Sequence, residues 1–130
     1  MSEHLVFVGT YAIQEGTYDA FDAANKEMAD FVEANEPRLI SWHTYVNEEG
    51  TEATTIMVHP DSESLEYHLQ VAGSRIRKGV QMVQTKRIEL YGEVSDRLLE
   101  QLRRISDMSG SWPVIVKSHL HGFPDWGAEA

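Results

Sequence analysis

Two strand-like segments, 38–47 and 51–58, meet at Glu48-Glu49-Gly50, and this hairpin constrains the chain more than any other feature. A three-residue hairpin loop favours glycine in last place, where the backbone turns left-handed. That loop length predicts a register. Thr55 then faces His43, Ala53 faces Tyr45 and Met57 faces Ser41 on one side of the sheet, while Ile56 faces Trp42 and Val58 faces Ile40 on the other. The second set is apolar and suits helix packing. The first is mixed, with Ser41, His43, Tyr45, Thr55, Met57 and His59. A slip of one residue would exchange the two faces, because side chains alternate along a strand.

The flanking segments supply what the hairpin needs for a core. Residues 4–13 are apolar on both parities, the pattern of a strand buried on both faces. Thr17 is read as a helix N-cap with Asp19 in the first turn. Phe21, Ala24, Met28, Phe31 and Val32 follow at helical spacing. That helix should stop before Pro37. Pro60-Asp61 opens another helix, capped by Asp61 or Ser62, with Leu65, Leu69 and Ala72 inward and a break at Gly73. A short helix is expected at 74–82 and a strand at 84–92, with Ile88 and Leu90 on one face and Arg87, Glu89 and Tyr91 on the other. Ser95 is expected to cap an amphipathic helix carrying Leu98, Leu99, Leu102 and Ile105, and Trp112-Pro113 to lead into a strand at 114–120.

The resulting plan is α+β: a ferredoxin-like βαββαβ antiparallel sheet with helices on one face, extended by a C-terminal helix and strand. Residues 1–130 read as a single domain with a core at about 4–94, an extension at about 95–121 and an irregular tail at 122–130. A sheet covered on one face only leaves the other to be buried against something, and a second copy is the expected partner.

Composition narrows the functional classes. The chain has no cysteine, so disulfides, thiolate metal sites and cysteine nucleophiles are out. Formal net charge is −10, which argues against nucleic acid or an anionic membrane as partner. No apolar run reaches the ~20 residues of a membrane span, and Met1-Ser2-Glu3-His4 lacks the basic start of a signal peptide, so a cytoplasmic setting is expected. Charge is uneven: residues 1–66 hold fourteen acids against two bases, whereas 75–104 hold eight bases against four acids. Arg75, Arg77 and Lys78 could greet an anionic substrate or form a solvated helix face paired with acids. No Walker loop, GxGxxG, GxSxG or HExxH occurs.

The order of elements resembles the dimeric α+β barrel superfamily, and within it the antibiotic-biosynthesis-monooxygenase (ABM) type of domain. The resemblance is carried by LVFVGTYAIQEG with TYDAFDAANKEMADFVEANEP, by RLISWHTYVNEEGTEATTIMVHPDSESLEYHLQ, and by TKRIELYGEVS. It covers residues 4–94. ABM-type sequences commonly carry a tryptophan in or just after the third strand, where this chain reads Thr55-Ile56-Met57-Val58-His59-Pro60. The resemblance implies a homodimer joined through the open sheet face, with a cavity for an aromatic or quinol-like substrate. It also implies oxygen chemistry that draws electrons from the substrate itself, with no metal or flavin as cofactor. The alternative is a non-catalytic dimeric module that binds a ligand or stabilises an assembly.

Several side chains are candidates. His43 is the candidate general base toward a phenolic or quinol substrate, because histidine titrates near neutral pH. Tyr45 and Tyr11 are placed to hydrogen-bond substrate oxygens, and Ser41, Thr55 and Met57 to line the site. The competing reading makes these ordinary half-buried sheet residues. His68 lies mid-helix and resembles the helix histidine of haem-binding relatives, or else is an exposed or hydrogen-bonded helix histidine. His119 and His121 alternate along the expected last strand and could share a metal, but no third ligand has a paired motif, and a solvated strand fits better, so no metal site is assigned. Trp42 is expected in the helix-packing core, and Trp112 and Trp126 as packing anchors of the extension.

Overall fold

The computed structural model describes residues 4–124. Its strands are β1 (Leu5–Ile13), β2 (Ser41–Val46), β3 (Glu52–His59), β4 (Val83–Tyr91) and β5 (Val114–Lys117). Its helices are α1 (Tyr18–Asn35), α2 (Ser62–Val71), α3 (Gly73–Gly79) and α4 (Asp96–Met108), with one 3₁₀ turn at Val80–Met82. The strands form one sheet in the order β2-β3-β1-β4-β5. The first four are antiparallel neighbours, and β5 joins β4 in parallel after the α4 crossover. The expected α+β, ferredoxin-like plan with a C-terminal helix and strand is therefore present.

Helix boundaries follow local chemistry, with one correction. Asp61 caps α2 by accepting the Ser64 N–H at 3.0 Å, and Ser95 caps α4 by accepting from Leu98 N–H at 3.1 Å. Thr17 precedes α1 but makes no side-chain cap bond. Its hydroxyl donates instead to the carbonyls of Gln14 and Met82, tying the turn before α1 to the 3₁₀ turn before β4.

The hairpin register differs from expectation by one residue. Trp42 pairs with Met57, His43 with Ile56, Thr44 with Thr55, and Tyr45 with Thr54. The cause is Asn47. Its side-chain oxygen accepts the N–H groups of Thr51 (2.9 Å) and Glu52 (3.0 Å), and Asn47 N–H bonds to Glu52 O at 3.0 Å. The loop therefore closes one residue later, with Glu48-Glu49-Gly50-Thr51 inside it, and Gly50 takes the positive φ of +72°. The mixed face read from the sequence splits. Thr55, Met57 and His59 lie with Trp42 and Thr44 on one side of the sheet, and Ser41, His43 and Tyr45 lie with Ile56 and Val58 on the other.

The first of these sides carries the helices. Leu5, Phe7, Met57, Ile88 and Leu90 of the sheet pack against Leu65 of α2, Leu98 and Leu102 of α4, and Trp112. A second cluster joins Ile13, Ala53 and Val83 to Phe21 of α1. Burying each such large apolar side chain stabilises the fold by about 1.5–3 kcal/mol. The opposite side, with Val6, Val8, Ile56 and Val58 half-buried, contributes no residue to either core cluster. An irregularity in the β1–β4 pairing after Thr10 leaves Lys86 as the extra residue on β4. Parity changes across it, so Thr85 and Val83 face the helices as Ile88 and Leu90 do.

The last strand ends earlier than expected. β5 stops at Lys117, so His119 and His121 lie beyond it in exposed chain, and alternation along a strand does not bring them together. Among the described residues no group of three histidines, cysteines or carboxylates is placed to hold a metal ion. No described helix is long and apolar enough to cross a membrane. Trp126 lies outside the described residues.

Candidate functional site

Between the helices and the covered face of the sheet lies an apolar cavity of about 180 Å³. That is large enough for a small aromatic ring system, since an apolar cavity of roughly 150 Å³ accepts benzene. Phe21, Ala24 and Met28 of α1 form one wall, Ile76, Gly79 and Val80 another, and Phe7, Thr55, Met57 and Ile88 the floor. Trp42 reaches in from β2, and Leu102, Ile105 and Trp112 close the side nearest the extension. The extension thus forms part of the cavity wall. Trp42 stands directly across from Met57.

Polar groups in this lining are few. Tyr11 folds back along its strand, and a Cβ at Gly9 would collide with the Tyr11 hydroxyl, so the glycine makes room for that ring. Burial pushes the Tyr11 phenol well above its ordinary pKa. Tyr11 is therefore a neutral hydrogen-bonding group and not a base. The hydroxyls of Thr55 and Thr44 are bonded to each other at 2.9 Å. Asn25 donates its amide N–H to Phe21 O at 3.0 Å, which leaves its side-chain oxygen to accept.

Beside Thr85 and Arg75, the lining holds one more polar feature, a buried hydrogen bond between a histidine and a carboxylate. His68 Nδ1 lies 2.9 Å from both oxygens of Glu36, and each residue is 4% exposed. A carboxylate only accepts, so Nδ1–H is the donor, and in the neutral ring Nε2 carries the lone pair. His68 lines the cavity, so that basic nitrogen belongs to the group a ligand would meet. Three contacts fix the chain around the pair. Glu36 follows the last turn of α1, where its N–H bonds to Val32 O, and Arg38 ties the next residues to α2 through Asp61 (2.6 Å) and Glu63 (3.3 Å). Burial works against the Asp61 charge, but Arg38 and the Ser64 N–H outweigh it and hold that carboxyl below its usual range.

A second histidine backs the first. His59 is fully buried, bonds through Nδ1 to Ser64 Oγ at 2.7 Å, and lies 6.2 Å from His68 between ring centroids. Burial, reinforced by neighbouring His68, pushes its pKa down to about 3. His59 is thus a neutral packing group and not a proton carrier near pH 7.

The residues proposed from sequence therefore divide. Tyr11, Thr55, Met57 and His68 meet in the cavity. His43, Tyr45 and Ser41 do not, because the one-residue register shift puts them on the uncovered face. There His43 is exposed, Tyr45 is 58% exposed, and their ring centroids are 6.3 Å apart. Glu36 was missed by sequence reasoning. It is the acid before Pro37 at a helix end, and nothing in its spacing announces a partner 32 residues away.

No protein-family model matches the chain, and no curated protein matches it in sequence. Solved structures do resemble it. MupZ from Pseudomonas fluorescens superposes with a TM-score of 0.73 at 18% identity, over 98% of this chain and 99% of that one. SnoaB, a cofactor-independent oxygenase from Streptomyces nogalater, gives a TM-score of 0.61 at 14% identity, over 72% of this chain and 96% of that one. An antibiotic biosynthesis monooxygenase gives 0.61 at 15% identity, over 70% and 99%. The likeness to MupZ thus spans nearly the whole chain, whereas the other two align with about seven-tenths of it.

Proposed function

Starting from a chain with the ABM-like fold of the dimeric α+β barrel superfamily, we propose that it is a small-molecule monooxygenase that oxidises an aromatic or quinol-like substrate in the cavity beneath its helices. The observation that carries this reading is the Glu36–His68 pair at the edge of a mainly apolar cavity. A buried carboxylate is a poor device for stability, because its desolvation offsets what the hydrogen bond returns. A base oriented by a carboxylate is a good device for catalysis.

In this mechanism Tyr11 hydrogen-bonds a substrate oxygen, and His68 Nε2 removes a proton from the phenolic or activated C–H position. The electron-rich anion passes an electron to dioxygen, and the two radicals combine. For an anthrone-type CH₂ carbon, one oxygen atom becomes the new carbonyl and the other leaves as water with the two hydrogens of that carbon. Electrons balance without an external reductant. Apolar walls exclude water from the anion.

Dimerisation belongs to the same proposal. The uncovered face presents Val6, Val8, Ile56 and Val58 with His43 and Tyr45 beside them. Closing two such faces together would bury that apolar surface and complete the barrel. His43 and Tyr45 would then be contact residues between copies.

Oxygen uptake tests the reading. Hydroquinones, dihydroxynaphthalenes and anthrones are supplied to the wild type and to His68→Gln. Turnover by the wild type that falls about 100-fold in the variant supports it, in the range typical of general base loss. A folded wild type that consumes no oxygen across the panel sinks the enzyme reading and leaves a ligand-binding module.

A further inference from the structure

One cation stands at the wall of this apolar cavity with its hydrogen-bonding capacity incompletely used. Arg75 belongs to α3, a seven-residue helix that carries Arg75, Arg77 and Lys78 and no acid, in a chain of net charge −10. Its guanidinium lies over the Phe31 ring, 3.9 Å from the centroid, and it lines the cavity. Nε is buried and makes no hydrogen bond. Its nearest acid, Glu27 on α1, stands 3.8 Å away, within ion-pair reach but beyond hydrogen-bond distance. Stacking on Phe31 explains how the ring plane is held. It does not explain why a buried donor is left unmatched, which is unfavourable when nothing else fills it.

Two further observations point the same way. Trp112, also in the lining, has a buried Nε1–H with no acceptor. Gly79, next in line along α3, borders the cavity, and a Cβ placed there would meet nothing within 4 Å. Arg77 and Lys78 are exposed and make no ion pair among the described residues. The α3 end of the cavity therefore combines open space, an unmatched donor and uncompensated positive charge.

We propose that the ligand of this cavity is an aromatic carboxylate, its anionic group held by Arg75 at the α3 end, with Arg77 and Lys78 raising the local concentration of anions. A planar guanidinium pre-set by ring stacking suits a carboxylate better than a lysine would. The carboxylate displaces the loose contact with Glu27 and supplies the acceptor that Nε lacks. Trp112 Nε1–H offers a second donor to a ring oxygen of the same ligand. The inference deepens the proposed function by naming the charge class of its substrate, yet it concerns binding alone.

The test is a calorimetric titration with 1-naphthoate and with its neutral counterpart 1-naphthalenemethanol, at low and high salt, so that no turnover is needed. The wild type is expected to bind naphthoate at least about tenfold more tightly than the alcohol, with the preference shrinking in salt. Arg75→Gln removes that preference and leaves the alcohol within about twofold of wild type. The double change of Arg77→Gln with Lys78→Gln lowers naphthoate affinity about two- to threefold and keeps a preference. Arg104→Gln, on α4, changes neither ligand. Equal binding of the two probes by the wild type overturns the inference, as does binding of neither, or an equal loss of both in a folded Arg75→Gln. A naphthoate preference without oxygen uptake on any substrate would spare this inference and sink the monooxygenase reading. Turnover of neutral quinols with no naphthoate preference would do the reverse.

Discussion

His68, on α2, and His43, on β2, lie on opposite sides of one sheet, and their surroundings differ in every respect that matters to chemistry. His68, on the helix-covered side, is almost wholly buried, has one ring nitrogen committed to Glu36, and borders a cavity. His43, on the uncovered side, is exposed and has Tyr45 as its aromatic neighbour. A fixed tautomer and an excluded solvent favour the first as a base. The second is free to choose its partner, which suits a contact surface. Residue type alone would have ranked them equal.

The comparison breaks first at the buried pair. Glu36→Ala strands the buried His68 N–H without its acceptor and should cost about 1–3 kcal/mol of unfolding free energy, read by chemical denaturation. His43→Ala should change stability by less than about 0.5 kcal/mol. Equal losses would mean that the two histidines are not distinguished as argued. Next in size is turnover: His68→Gln should reduce oxygen uptake about 100-fold, while His43→Gln stays within about twofold. The opposite outcome would move the site to the uncovered face.

Smaller effects sharpen the division. Ile56→Asp puts a charge in the centre of the uncovered face and should weaken self-association at least about tenfold in sedimentation, while binding in the cavity persists. A pH series tests the depth of burial behind His68. The unfolded chain takes up a proton at His59 below about pH 6.5, but the folded chain does so only near pH 3. The stabilising contribution is therefore complete above the unfolded value and is lost as pH falls between the two, at about 1.4 kcal/mol per pH unit. His59→Gln should remove that share of the slope between pH 6 and 4, and an unchanged slope would refute the burial argument. Smallest is Thr44→Val, which leaves the buried Thr55 hydroxyl without its 2.9 Å partner and should cost about 1 kcal/mol in a melting experiment.

Much of the architecture was legible because it depends on short-range patterns. Pro37 and Gly73 end helices where expected, Asp61 and Ser95 cap where expected, and Ile88 and Leu90 share a buried face. The hairpin failed at a single atom. Asn47 Oδ1 captures two backbone N–H groups and adds one residue to the loop, and that single residue sends Ser41, His43 and Tyr45 to the uncovered side. The candidate site was half legible for the same reason. Tyr11, Thr55, Met57 and His68 were named from pattern and meet in the cavity, whereas Glu36 acquires meaning only from what it touches.

The sequence by itself determined the order of elements, the apolar stripes that must be buried and the ends of most helices, because each follows from residues within one or two turns of one another. Only the tertiary structure decided which histidine is held, by what carboxylate, and on which side of the sheet. Those outcomes depend on contacts between segments far apart in the chain. A one-residue difference in loop closure, invisible to periodicity, is enough to reverse them.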